Sequence, residues 1–349
     1  MMSEQKKVNV AVLGATGAVG QKMIETLEDR DFPVKELKLL SSSRSAGSKI
    51  SFKGEEYTVE EAQPESFENV DIALFSAGGS ISKKLAPEAV KRGALVIDNT
   101  SAYRMDPEVP LVVPEVNEED IKENKGIIAN PNCSTIQMVA ALKPIDDKYG
   151  LKRVLVSTYQ AVSGAGNDAV DEMNEQSRAM LDGKEYETNI LPVKGDEKHF
   201  PIAFNALPQI DVFEEDGYTF EEKKMINETK KIMHMDKLPV SATCVRLPFA
   251  VSHAESVYVE IDQEAVSVSD FRKVISNGEG LTLQDNPSEQ DYPTPLSAAG
   301  KKDVFVGRIR KDPDVDYGFH MWVVSDNLLK GAAWNSIQIA ERVVTNNWL

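Results

Sequence analysis

The chain carries two thiols, Cys133 and Cys244, and the first stands where a thiol could act as a nucleophile. It follows Asn130-Pro131-Asn132, turn formers that disfavour continuing the preceding strand. Beyond it, the run STIQMVAALKPIDDKYG places Ile136, Val139 and Ala140 on one helical face. Cys133 therefore lies near a helix N-terminus, where unpaired N–H groups and the macrodipole favour negative charge and raise the thiolate fraction. Alternatively, it is a buried and inert structural cysteine. A reactive thiol beside a nicotinamide would oxidise or reduce an acyl group through a thioester.

Such chemistry needs a proton shuttle and a cation for an acidic substrate. Four histidines are available, His199, His234, His253 and His320. His234 falls in the charged run KKIMHMDK and should be exposed, and His199 sits in the loop-like GDEKHFP. His320 is in the apolar strand YGFHMWVV, where a satisfied core histidine is expected. His253, at the end of CVRLPFAVSH in company with Arg246, has the best context. These two are seven residues apart, so an unbroken strand would point them to opposite faces. Pro248 offers the bend that would let them share a site. Gln160 keeps strand parity with Val154, Val156 and Thr158 and ends an otherwise apolar face beside Ser163 and Gly164. An ordinary strand-end amide would show the same pattern.

A nucleotide has its own signal. GATGAVG follows a strand and opens a helix, with glycines at Gly14, Gly17 and Gly20. The spacing is G-x-x-G-x-x-G and not G-x-G-x-x-G, yet the mechanics hold. Glycine lets the backbone approach a pyrophosphate that sits on the helix N-terminus. Used only for sterics, glycine would also suit a tight strand–helix turn. At the end of the second strand, SSSRSAGS offers Arg44 and hydroxyls but no carboxylate for a ribose 2′-OH. A guanidinium among serines suits a 2′-phosphate, which favours NADP, unless Arg44 is simply a solvated loop residue.

The elements that must position these groups are legible in outline. KVNVAVLG, ELKLLSSS, DIALFSAG, ALVIDNT and VPLVVPEV read as strands, with helices AVGQKMIETLEDR and SKKLAPEAVKRG among them. Strands apolar on both faces and separated by helices predict an α/β, doubly wound parallel sheet. After Cys133 come the longer strands KRVLVSTYQAVS, ATCVRLPFAV and SVYVEIDQ, with acidic helical stretches between them. They predict an α+β second domain on a mixed, largely antiparallel sheet. The tail NLLKGAAWNSIQIAERVVTN aligns Trp334, Ile337, Ala340 and Val344 along one helical stripe, with the first domain as the expected dock. The 349 residues allow two cores. A formal charge of -17 argues against nucleic acid or an anionic membrane as partner. Two distant cysteines fit a reducing compartment, and no signal segment or membrane span is visible, so a cytoplasmic location is expected.

GATGAVG, SSSRSAG, DNTSAYR, NPNCST, STYQAVSGAG, FNALPQID, EEKKMINETKKI, CVRLPFAVSHAESV and VSDNLLKGAAWNS occur together and in one order. Through them the chain resembles, over essentially its full length, the aspartate-β-semialdehyde dehydrogenase family, in the branch found in Gram-positive and related bacteria. The resemblance implies a Rossmann-type NADP-binding domain over 1–132 and 328–349 and a catalytic and dimerisation domain over 133–327. It implies NADPH-dependent reductive dephosphorylation of β-aspartyl phosphate to aspartate semialdehyde and phosphate, in lysine, threonine and methionine biosynthesis. Cys133 would be the nucleophile, His253 the general acid/base at the thiohemiacetal oxygen, Gln160 the substrate-orienting group and Arg246 the partner of the α-carboxylate. Glu222 is implied for the substrate amino group. Arg104 and Lys224 are implied for phosphate, with Lys223 next door leaving a one-residue ambiguity. Implied cofactor contacts are Gly14, Thr16, Gly17, Ala18, Val19, Arg44, Ser45, Ser163, Gly164 and Asn327. A homodimer or tetramer is implied, with no metal. N-acetyl-γ-glutamyl-phosphate reductase is the rival of like fold, and a pair reading a free α-amino acid argues against it. A non-enzymatic NADP sensor would be expected to lack the Cys, Gln or His.

Overall fold

A computed structural model describes residues 7–349, in two compact units. The first ends at Asn132 and is completed by Ala332–Leu349; the second is Cys133–Gly331. No helix among the described residues is long and apolar enough to cross a membrane.

The first unit runs β1 (Val8–Leu13), α1 (Ala18–Asp29), β2 (Val34–Ser41), a hairpin of β3 (Lys49–Phe52) and β4 (Glu55–Thr58), then β5 (Glu60–Glu61) and β6 (Ile72–Phe75). It continues through α2 (Gly79–Lys91), β7 (Leu95–Asp98), α3 (Pro114–Asn117) and β8 (Ile127–Ala129). The main sheet is parallel, in the order β5-β2-β1-β6-β7-β8. β6 and β7 are buried throughout, as a parallel sheet covered on both faces requires. Alternate residues of β1 enter different cores: Val10 and Val12 pack with Met23 and Leu27, whereas Ala11 and Leu13 pack with Phe75, Leu85 and Ala89. The C-terminal helix, Trp334–Thr345, joins the first of these cores through Ile337, Ile339, Ala340 and Val343. The Arg30 guanidinium lies 4.2 Å over the Trp334 ring and pairs with Glu341. The expected strand VPLVVPEV does not form. Pro110 and Pro114 bracket it, Leu111 makes one bridge to Ala129, and α3 begins at Pro114, so β8 is the outer strand.

The second unit opens with α4 (Cys133–Tyr149), β9 (Leu151–Gln160), α5 (Asn167–Leu181), α6 (Phe220–Ile232), β10 (Val240–Arg246) and β11 (His253–Ile261). There follow α7 (Val268–Ser276), β12 (Leu281–Leu283), α8 (Pro295–Ala298), β13 (Val304–Lys311) and β14 (Gly318–Ser325). Its sheet, β10-β9-β11-β14-β13-β12, is mixed: β10/β9 and β12/β13 are parallel and the other pairs antiparallel. The register sorts side chains into rows across one face. Arg246 aligns with Gln160, and His253 with Ser325. Two residues deeper, Cys244, Thr158, Glu255 and Val323 align. Helix α4 covers this face and is buried on all sides from Ser134 to Leu142. On the opposite face, Ser157, Tyr159, Tyr258 and Trp322 are only partly buried.

Candidate active site

Cys133 is the first residue of α4 and is half-buried, its Sγ 3.1 Å from His253 Nε2. His253 opens β11 and is fully buried. Its Nδ1 accepts the Ala161 N–H at 3.0 Å. That bond sets the neutral tautomer: Nδ1 carries no proton, so Nε2–H does, and it faces the sulfur. A second proton would set Nδ1–H against the Ala161 N–H. Burial, and then the charge of Arg246, push the His253 pKa down to about 3. His253 is therefore a neutral hydrogen-bond donor toward Sγ or toward an oxygen formed beside it.

The same peptide holds the arginine, since the Ala161 carbonyl accepts Arg246 Nη1 at 2.8 Å. The bend that lets Arg246 and His253 converge spans 247–252, where Leu247 N–H bonds Gln160 O and Ser252 takes φ +75. Gly164 completes the fit, for a Cβ there would lie 2.9 Å from Arg246 Nη1 and 3.7 Å from the His253 ring. Burial lowers the pKa of Arg246, and the negative charge of Glu221 opposes that shift.

Gln160 receives the Thr158 hydroxyl on Oε1 at 2.9 Å and donates Nε2 to Glu221 Oε1 at 3.0 Å. Glu221 Oε2 takes Lys224 Nζ at 3.1 Å, and the same ammonium reaches Asp211 at 2.8 Å. Glu222 is engaged elsewhere. Its Oε2 accepts the Thr219 N–H at 2.8 Å and its Oε1 the Cys244 N–H at 3.0 Å, so both oxygens serve backbone groups. Thr219-Phe220-Glu221-Glu222 is a capping box, a signal in the sequence that assigns Glu222 to the helix start and leaves Glu221 to face the cluster. Lys223 turns outward to Asp216 and the Tyr218 ring, whereas Lys224 enters the cluster. In the first unit, buried Arg104 donates Nε to Asn130 O at 3.0 Å and Nη2 to Asn99 O at 2.9 Å. Asn130 is itself held by Asn335 Nδ2 at 2.7 Å.

The glycine loop fits a dinucleotide phosphate. Gly14 has φ +88, and a Cβ on Gly20 would lie 2.1 Å from Gly14 O, so strand and helix close together only without side chains. Gly17 caps α1 with no side-chain bond and the first turn holds no carboxylate, which leaves the Ala18 and Val19 N–H groups for an anion. Thr16 Oγ1 lies 2.9 Å from Ser41 Oγ at the end of β2, and Arg44 and Ser45 follow, Arg44 exposed. In the second unit, Asn327 Nδ2 donates to Ser163 Oγ at 3.0 Å and Asn327 Oδ1 accepts the Ser252 N–H at 2.8 Å, beside Gly164 and His253 in the chain.

Residues 9–124 match the semialdehyde dehydrogenase NAD-binding domain, and residues 142–330 the semialdehyde dehydrogenase dimerisation domain. The aspartate-semialdehyde dehydrogenase of Bacillus subtilis is 68% identical over 334 residues, 96% of each chain. The crystal structure of aspartate semialdehyde dehydrogenase II complexed with ASA, from Vibrio cholerae, matches with a TM-score of 0.93 and 47% identity, covering 98% of this chain and 99% of that one. The aspartate semialdehyde dehydrogenase with NADP from Candida albicans matches with a TM-score of 0.76 and 28% identity, covering 99% of this chain and 100% of that one.

Proposed function

The chain belongs to the aspartate-semialdehyde dehydrogenase family of oxidoreductases, and from that premise we propose that it reduces β-aspartyl phosphate to aspartate semialdehyde with NADPH, as a homodimer in lysine, threonine and methionine biosynthesis. The Cys133–His253–Ala161–Arg246 chain of contacts is the observation that carries this reading. The Cys133 thiolate attacks the acyl carbon, forming the C–S bond as the C–O bond to phosphate breaks. Lys224 and Arg104 are assigned to the phosphate, Arg246 to the α-carboxylate, and Glu221 in place of Glu222 to the amino group. The 14–20 loop with Thr16, Arg44, Ser45, Ser163, Gly164 and Asn327 would hold NADPH, which when bound would supply the hydride for reduction of the thioester. His253 Nε2–H then stabilises negative charge on the thiohemiacetal oxygen, and C–S cleavage releases aldehyde and thiolate. No proton need leave the ring in that sequence, which agrees with a histidine kept neutral by burial. One such donor is worth about 10²–10³-fold in rate.

The test is NADP reduction by purified protein given aspartate semialdehyde and phosphate, with NAD and N-acetylglutamate semialdehyde in parallel. Phosphate-dependent turnover with the first aldehyde and NADP, abolished in Cys133→Ala, is expected. Turnover with the acetylated aldehyde alone would assign the rival reductase, and folded, NADP-binding protein inert to both would make the chain a sensor.

A further inference from the structure

Gln137 lies one helical turn after Cys133 on α4 and is wholly buried. Its neighbours Ile136, Met138 and Val139 are apolar, and an aliphatic side chain would fill its place without the cost of desolvating an amide. The amide makes directional bonds instead. Oε1 accepts the Ser325 hydroxyl at 2.8 Å, and Nε2 donates to the His253 carbonyl at 3.4 Å. Ser325 is the cross-strand partner of His253, so one side chain spans both strands at the level of the His253 imidazole. One row deeper lies Glu255, fully buried, with neither carboxyl oxygen in a hydrogen bond. An ionised carboxylate there would compete for the same amide N–H.

We propose that Gln137 is a positioning residue, resting on the reaction proposed above: it ties the first turns of α4 to the paired ends of β11 and β14 and so sets the Cys133 Sγ to His253 Nε2 separation. Both ends of that contact stand where an element begins, Cys133 as the first residue of its helix and His253 as the first of its strand. Displacement of reacting groups by about 1 Å can lower a rate by about 10²-fold.

The experiment compares the parent with Gln137→Leu, Gln137→Met, Ser325→Ala and the Gln137→Leu/Ser325→Ala double variant. It measures kcat and KM with aspartate semialdehyde, melting temperature, and the rate at which iodoacetamide alkylates Cys133 in the folded protein. Expected for Gln137→Leu is a fall in kcat of about 10–100-fold with KM little changed, and slower alkylation. Ser325→Ala should move both readouts the same way by less, and the double variant should fall no further than Gln137→Leu, since both remove one link. Lower melting temperatures with kcat and alkylation at parental values would show that Gln137 serves packing alone and overturn the proposal. If Gln137→Leu fails to fold, Gln137→Met and Ser325→Ala decide by the same two readouts. Alkylation needs no substrate, so a parent inactive toward the semialdehyde would sink the proposed reaction and still leave the positioning claim tested.

Discussion

Replacing Glu255 by Gln should stabilise the protein, and increasingly so as pH rises. Burial holds the Glu255 carboxyl well above its ordinary 4.5, and neither of its oxygens has a hydrogen-bond partner to offset this. In the unfolded chain the group ionises near 4.5. Between that pH and its raised native value, folding takes up a proton, so rising pH favours the unfolded state. The loss is about 1.4 kcal/mol per pH unit. Glu255→Gln keeps the shape and neutrality of the buried acid and removes the linkage. The difference between variant and parent should therefore widen by that amount per unit, or about 3–5 °C in melting temperature for a unit the size of Cys133–Gly331. His253, whose pKa falls from 6.5 to about 3, contributes stability that is lost as pH drops below 6.5; this is common to both proteins and cancels in the difference. Calorimetry of both at matched salt and concentration, from about pH 5 to about pH 7, measures the gap. A gap that stays constant or narrows with rising pH would mean an ionised, paired Glu255 and refute the reasoning.

Three further outcomes are expected. Gly164→Ala would drive a Cβ against the Arg246 guanidinium, and steady-state kinetics should show KM for the amino-acid substrate raised about tenfold or more. Glu221→Gln should lower kcat/KM by about 10²-fold by loosening Lys224 and Gln160, while Glu222→Gln should lower stability by about 1 kcal/mol at most and spare the rate; the reverse order would restore Glu222 to the substrate. Cys244 is buried, and its thiol pKa is driven well above 9.0 by desolvation and then by Glu221. Peptide mass mapping after alkylation of native protein should find label on Cys133 and reach Cys244 only after unfolding.

The helix-start position of Cys133 was legible because turn formers and an apolar period adjoin at that residue, both local signals. Gln160 stood out by strand parity, also local. Strand periodicity puts Arg246 and His253, seven residues apart, on opposite faces, and their convergence depends on the bend over 247–252, which no periodicity records. Glu221 and Glu222 are adjacent carboxylates that look alike in sequence until one is spent on a helix start. Gln137 was beyond reach, since a single amide in an apolar run reads as noise when its partner Ser325 is 188 residues away. VPLVVPEV reads as a strand by its apolar content, yet its two prolines limit it to a single bridge.

The discontinuity of the first unit bears on how the chain is made. Val10, Val12 and Leu27 share a core with Ile337 and Val343, so that core stays open while all of Cys133–Gly331 is synthesised. At roughly 5–20 residues per second, this is a delay of about 10–40 s during which the nascent nucleotide half depends on residues not yet translated. Domains usually fold in the order they leave the ribosome. Here the later-made unit, whose elements are contiguous, can finish first, and the earlier one closes when the last helix arrives.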